Sequence, residues 1–152
     1  VLMNYDKTRK RLYIFGEIYK RQLSNSNAVE EIKKLNPSNR KVTADSAEPR
    51  TINEFKKLGI NIKGAKKGPD SVEHGLKFLS EELEEIIIDP VRCPNTKREF
   101  MEYEIEKDKD GNLKGEYPDK NNHTIDAVRY GMEDEILDRK IRIHSKSRLG
   151  IR

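Results

Sequence analysis

The chain has 152 residues, with 31 Lys and Arg against 27 Asp and Glu and a hydrophobic fraction of 34%, which suits one domain with a modest core and is too short for two. A charged fraction of 38% exceeds the usual level of about 25%, yet well-spaced apolar runs and 7% aromatics argue for a folded domain over a disordered one. No run approaches the roughly 20 apolar residues of a membrane-spanning helix, no signal peptide opens the chain, and the lone Cys93 excludes an internal disulfide and a Cys-based zinc site, which together suit a reducing, intracellular setting.

Val1 to Tyr5 and Leu12 to Tyr19 read as strands about the polar turn 6–10, a hairpin signal; a chain that opens inside a strand without Met is expected to be a piece of a longer protein. Asn27 with Glu30 three residues on predicts a capped helix carrying Val29, Ile32 and Leu35 and ended by Asn36-Pro37. Lys41 to Asp45 is a short strand with an acid at its C-terminal end. Thr51-x-x-Glu54 is a capping box for a helix from Ile52 to Leu58 stopped by Gly59, and Ile60 to Ala65 alternates as a strand does. Asp70-x-x-Glu73 opens a further helix with Val72, Leu76 and Leu79 on one stripe. Ile86-Ile87-Ile88-Asp89 is a β-branched run that predicts a strand buried on both faces. Glu99 to Glu106 and Leu113 to Tyr117 flank Asp110-Gly111, which predicts a hairpin, and Asn122 caps a helix from about His123 to Leu137. This order predicts an α/β domain with a mixed β-sheet flanked by helices and an added hairpin.

Charge is uneven. Residues 139–152 carry six Lys or Arg and no acid, and Lys7 to Arg11, Lys56-Lys57 and Lys63 to Lys67 are smaller basic clusters. Such clusters bind phosphate oxygens without regard to sequence, although each also reads as a solvated surface. Gly-x-x-x-x-Gly-Lys-Ser/Thr, Gly-x-Gly-x-x-Gly and His-Glu-x-x-His are all absent, so ATP, dinucleotides and helical zinc sites are not expected by those routes.

Two acids stand out by position: Asp45 at the end of a strand and Asp126 in the first turns of the last helix, where His123, Asp126 and Tyr130 share one side. The crevice beyond strand C-termini is where ligands bind in open α/β sheets, and hard carboxylate oxygens there suit Mg²⁺ or Mn²⁺. Each residue has a plainer reading too. Asp-Ser-Ala-Glu-Pro is turn-forming, so Asp45 also fits a turn cap, and Asp126 also fits a helix-dipole charge with His123 a polar first-turn residue. Glu48 and Asp89 read either as acids supporting the crevice or as a first-turn charge and a strand terminator. Lys66 and Lys67, beside Gly68-Pro69, suit phosphate contact or simple solubility.

Tyr5 to Thr8 with Arg11 to Tyr19, Ala44-Asp45-Ser46-Ala47-Glu48-Pro49, Gly64 to Gly68 leading to Asp70-Ser71-Val72, and Asn122 to Tyr130 together resemble the C-terminal nuclease domain of tailed-phage terminase large subunits. The resemblance covers nearly the whole chain. It implies an RNase H-like fold and a metal-dependent endonuclease that cuts concatemeric double-stranded DNA with little sequence preference, in the cytoplasm of a bacterial host. It further implies Asp45, Asp126 and His123 as the catalytic and metal-holding residues of a two-metal Mg²⁺ or Mn²⁺ site. DNA contacts are expected from Lys66, Lys67, Arg139, Lys140 and Arg142, and the terminase small subunit and portal protein are the implied partners. In the family the first catalytic Asp lies on strand one, upstream of the tail represented here by Val1 to Tyr5, and an ATPase domain precedes the nuclease. The expectation is therefore a single domain over residues 1–152, truncated in its first strand and weak in metal binding as it stands. The alternatives are a binding module for DNA and packaging partners without activity in isolation, or another RNase H-like nuclease such as a junction resolvase.

Overall fold

The computed structural model of the protein describes residues 1–103 and 120–137. Strands β1 (Leu2–Asp6) and β2 (Arg11–Gly16) form the expected antiparallel hairpin. Asp6 closes its turn: one carboxylate oxygen accepts the amides of Thr8 and Arg9, and the other pairs with the Arg9 guanidinium. The two-residue alternation of β2 buries Leu12 and Ile14. Helix α1 (Asn25–Leu35) is capped by Ser24, whose hydroxyl accepts the Asn27 amide, so it starts earlier than the Asn27/Glu30 pattern indicated.

Strand β3 (Val42–Ala44) runs through α2 (Pro49–Lys57) to β4 (Ile62–Gly64), and β3 and β4 pair in parallel as a βαβ unit. Helix α2 begins at Pro49, not after Thr51, because Pro at the first helical position forfeits an amide that would lack a partner anyway. Thr51 then donates its hydroxyl to Glu48. Gly59, at a φ of 91°, ends the helix in a conformation that favours glycine. Helix α3 (Ser71–Lys77) continues into a π-helical turn, Phe78–Glu82, that buries Phe78 and Leu79. Strand β5 (Glu85–Ile88), α4 (Pro94–Glu102) and α5 (His123–Gly131) complete the described elements, and residues 133–137 add a helical turn.

The chain folds as α/β with a mixed sheet in the order β1-β2-β5, β5 being parallel to β2, while β3 and β4 form a separate pair. Two apolar clusters follow this division. Leu12, Ile14, Phe78, Leu79, Cys93, Val128 and Met132 pack under the first sheet, and Val29, Ile52, Phe55, Ile60 and Ile62 under the pair. Leu2 and Met3 of β1 and Val42 and Thr43 of β3 line one groove of about 360 Å³ with Ile32 and Leu35 of α1 and Ala127 and Gly131 of α5.

Two expectations are corrected. Glu99 to Glu102 lie in helix α4 rather than a strand, since Pro94 opens a helix whose first amides find an acceptor from a distant part of the chain. Ile87 is 36% exposed, so β5 is not buried on both faces; among the described residues it pairs only with β2, and its outer side meets solvent. The remainder of the expected hairpin, residues 104–117, lies outside the described residues, as do Arg139, Lys140 and Arg142. No described helix is long and apolar enough to cross a membrane.

Candidate metal centre

Parallel pairing places the C-terminal ends of β3 and β4 side by side, with Ala44 opposite Gly64 and the Ala65 amide donating to the Ala44 carbonyl at 2.8 Å. Asp45 leaves β3 at that point. Both readings of it hold together: its Oδ1 accepts the Ala47 amide at 2.9 Å, as a turn cap does, while the carboxylate remains half exposed toward the crevice. Lys67 Nζ lies 2.6 Å from the same oxygen, and the Tyr130 hydroxyl donates to Oδ2 at 3.4 Å. The Lys67 ammonium, helped by the Ala47 amide against a partial burial that works the other way, holds the Asp45 carboxyl below its usual range. Reciprocally, the bond to Asp45 raises Lys67.

Helix α5 carries the second acid. Asp126 Oδ1 accepts from Arg129 Nε at 3.1 Å and Nη2 at 2.7 Å. The guanidinium is only 5% exposed, donates onward to the Ser71 carbonyl, and stacks 5.3 Å from the centre of the Tyr130 ring. Gly75 of α3 makes room for it, since a Cβ there would sit 2.9 Å from Arg129 Cδ. Tyr130 follows Asp126 by one turn, about 6 Å along the axis, and helical side chains lean toward the N-terminus. Its hydroxyl on Asp45 therefore draws the Asp126 turn toward the end of β3. His123, one turn earlier, tilts its ring against Tyr19 at 6.4 Å, which aligns it with the opening of α5.

The other predicted residues have local partners. Glu48 accepts the Thr51 hydroxyl at 3.0 Å, and Asp89 Oδ1 accepts the amides of Val91 and Arg92, which hold its carboxyl low. The main-chain amide of Lys66 is pinned by Glu133 Oε2 at 2.7 Å, while Glu133 Oε1 takes Lys63 Nζ at 2.5 Å.

Three acids escaped the sequence reading. Glu99, fully buried, accepts the Thr124 amide and hydroxyl, each at 2.6 Å, and the Tyr19 hydroxyl at 3.1 Å, so it caps α5 from α4. Glu17 caps α4 by accepting the amides and side chains of Asn95 and Thr96; burial alone would raise its pKa, but these donors outweigh it and hold the carboxyl low. Glu133 anchors the loop after β4. Their partners lie 25 to 80 residues away in sequence, where no local pattern points.

Asp45 and Asp126 supply hard, partly exposed oxygens, and a cation already neutralises Asp45, so the residues present fit one wall of a divalent-metal site. Among the described residues no three His, Cys, Asp or Glu side chains group closely enough to enclose an ion, so further oxygen donors are needed.

A hairpin sheet joined to a parallel pair, with one acid at the pair's C-terminal end and another on the helix laid over it, defines an RNase H-like α/β domain. The chain belongs to the terminase RNase H-like domain family, which it matches over residues 2–134. It is 44% identical to the large terminase subunit of Bacillus phage SPP1 over 138 residues, 90% of this chain and 32% of that protein. It is 30% identical to the PBSX phage terminase large subunit of Bacillus subtilis (strain 168) over 149 residues, 97% of this chain and 34% of that protein. The chain thus spans about a third of the length of these curated relatives. Among solved structures it is similar to the g2p large terminase nuclease domain from bacteriophage SPP1 with bound Mn, with a TM-score of 0.80 and 44% identity over 88% of this chain and 76% of that one.

Proposed function

We propose that this domain is the metal-dependent endonuclease of a phage DNA-packaging terminase, hydrolysing phosphodiester bonds of concatemeric double-stranded DNA with little sequence preference in the cytoplasm of the bacterial host. The observation that carries it is the half-exposed Asp45 carboxylate at the end of a parallel strand, balanced by an ammonium and linked through Tyr130 to the helix of Asp126, in a chain 44% identical to a nuclease domain solved with Mn.

Asp45 and Asp126 would hold Mg²⁺ or Mn²⁺, with His123 flanking Asp126 one turn earlier on α5. Ions held there would supply activation of a water and charge stabilisation at the leaving oxygen of an in-line displacement. Arg129 orients the Asp126 carboxylate from its buried side. Lys66, Lys67 and the basic residues Arg139, Lys140 and Arg142 would contact the phosphate backbone, which makes DNA affinity fall steeply with salt. The third carboxylate would come from a strand upstream of Val1. The groove shared by β1 and β3 supports this, being a mainly apolar channel, edged by Asn36, Arg40 and Lys41, along two strands that, among the described residues, each have one partner. In the whole protein the small subunit and portal protein are the partners we propose.

The test is nicking and linearisation of supercoiled plasmid with Mn²⁺, Mg²⁺ or EDTA, using this chain and one extended upstream through that strand. Cutting by the extended chain, abolished by EDTA and by Asp45→Asn or Asp126→Asn, is the expected result. Cutting retained in Asp45→Asn overturns the ligand assignment, and no cutting by either chain favours a module that binds DNA and packaging partners.

A further inference from the structure

Around the end of β4 the ammonium groups of Lys63 and Lys67 have separate acidic partners. Glu133 takes the Lys66 amide at 2.7 Å and the Lys63 ammonium at 2.5 Å, and Asp134 takes the same ammonium at 2.9 Å. The main chain of the loop is thereby fixed from α5's extension at one point and from β3 at another, through the Ala65 amide. Lys67, the residue after that anchor, is delivered to Asp45. Its Nζ lies 2.6 Å from Oδ1 and 5.6 Å from the centre of the Tyr130 ring, whose hydroxyl holds the other carboxylate oxygen.

We propose that Lys67 is the resident counter-cation of Asp45: its ammonium occupies the place of a divalent ion, and metal loading displaces it. The inference rests on the reading of Asp45 as a metal ligand. The physical case is one of competition for a single oxygen. An ammonium and a divalent ion cannot both sit on Oδ1 and stay apart, because the Coulomb repulsion between them adds to their shared demand for the same lone pairs. The pair is half exposed at both ends, 44% for Lys67 and 48% for Asp45, so water screens it and the long lysine stem can swing out with little repacking. Lys67 thus keeps the carboxylate neutralised between turnovers and sets the ion concentration at which the site fills. Lys63 of β4 cannot do this, being committed to Glu133 and Asp134.

The experiment is a Mn²⁺ titration of the full-length, nucleotide-free protein followed by electron paramagnetic resonance, taking the Asp45-dependent binding as the difference between wild type and Asp45→Asn. Lys67→Met and Lys67→Gln should bind Mn²⁺ about two- to fivefold more tightly in that component, the span set by an exposed ion pair. Lys66→Met, which removes an equal charge one residue away, should leave it unchanged. Equal or weaker Mn²⁺ binding in both Lys67 variants overturns the proposal while leaving Asp45 a ligand. Equal tightening in Lys66→Met also overturns it, since a general charge effect then suffices. Mn²⁺ binding that does not respond to Asp45→Asn removes the ligand reading itself, and the proposal with it.

Discussion

Glu99 and Asp45 are both carboxylates that tie distant elements together, yet they are built in opposite ways. Glu99 is fully buried, its donors are a backbone amide and hydroxyls at 2.6 to 3.1 Å, and it joins α4 to the start of α5. Asp45 is half exposed, and among its partners is an ammonium on a long flexible stem. Neutral donors fixed to the fold serve permanence, because any one removed leaves a buried polar group unpaired. A screened ammonium serves exchange, because water or another cation can replace it at small cost. The difference separates acids that hold the architecture from acids able to meet an ion, in a way residue type cannot.

The sharpest break in that contrast is Glu99→Ala, which strands the Thr124 amide and hydroxyl and opens a cavity. It should cost about 3–5 kcal/mol, seen as a lower midpoint in denaturant. Asp45→Asn should do the reverse, lowering Mn²⁺-dependent plasmid cutting by the upstream-extended chain at least about a hundredfold, or roughly 2.7 kcal/mol in activation free energy, while its melting temperature stays near wild type. A melting temperature that fell as far as that of Glu99→Ala would place Asp45 among the architectural acids. Gly75→Ala tests the support behind Asp126, since the added methyl pushes on the Arg129 stem; we expect a loss of about 1–3 kcal/mol by thermal unfolding.

The smallest effect belongs to Asp134, whose carboxyl is lowered to about 2 by Lys41 and Lys63. Its folded pKa lies below the ordinary 3.8, so its contribution is present above about pH 4 and is lost as the pH falls toward 2. At neutral pH Asp134→Asn should cost under about 1 kcal/mol, because the side chain is half exposed. A stability-against-pH curve should show the two proteins converging as acid is added, and parallel curves would remove Asp134 from the balance.

Much of what positions the candidate site was legible from neighbouring residues. The strand before Asp45 and the helix after Asn122 with Asp126 in its first turn lie where period and composition place them, although the Asn122 side chain makes no cap and Glu99 takes that role, and the hairpin of β1 and β2 follows from alternation about a polar turn. Helix α4 was not legible, because residues from Glu99 onward have strand-like composition and the acceptor that starts the helix, Glu17, is 78 residues from Asn95. The exposure of Ile87 was hidden for a related reason: a β-branched run specifies a strand but not how many neighbours cover it.

What the amino-acid order determined by itself is the run of elements, their amphipathic faces and the acids at their ends, since these depend on residues within a turn or two of one another. Only the tertiary structure decided that Glu17 and Glu99 cap helices, that the strands divide into a mixed sheet and a separate pair, and that Lys67 settles on Asp45. Those outcomes depend on which groups meet after the chain has folded back on itself, where a hydrogen bond forms with whichever donor the packing brings within about 3 Å.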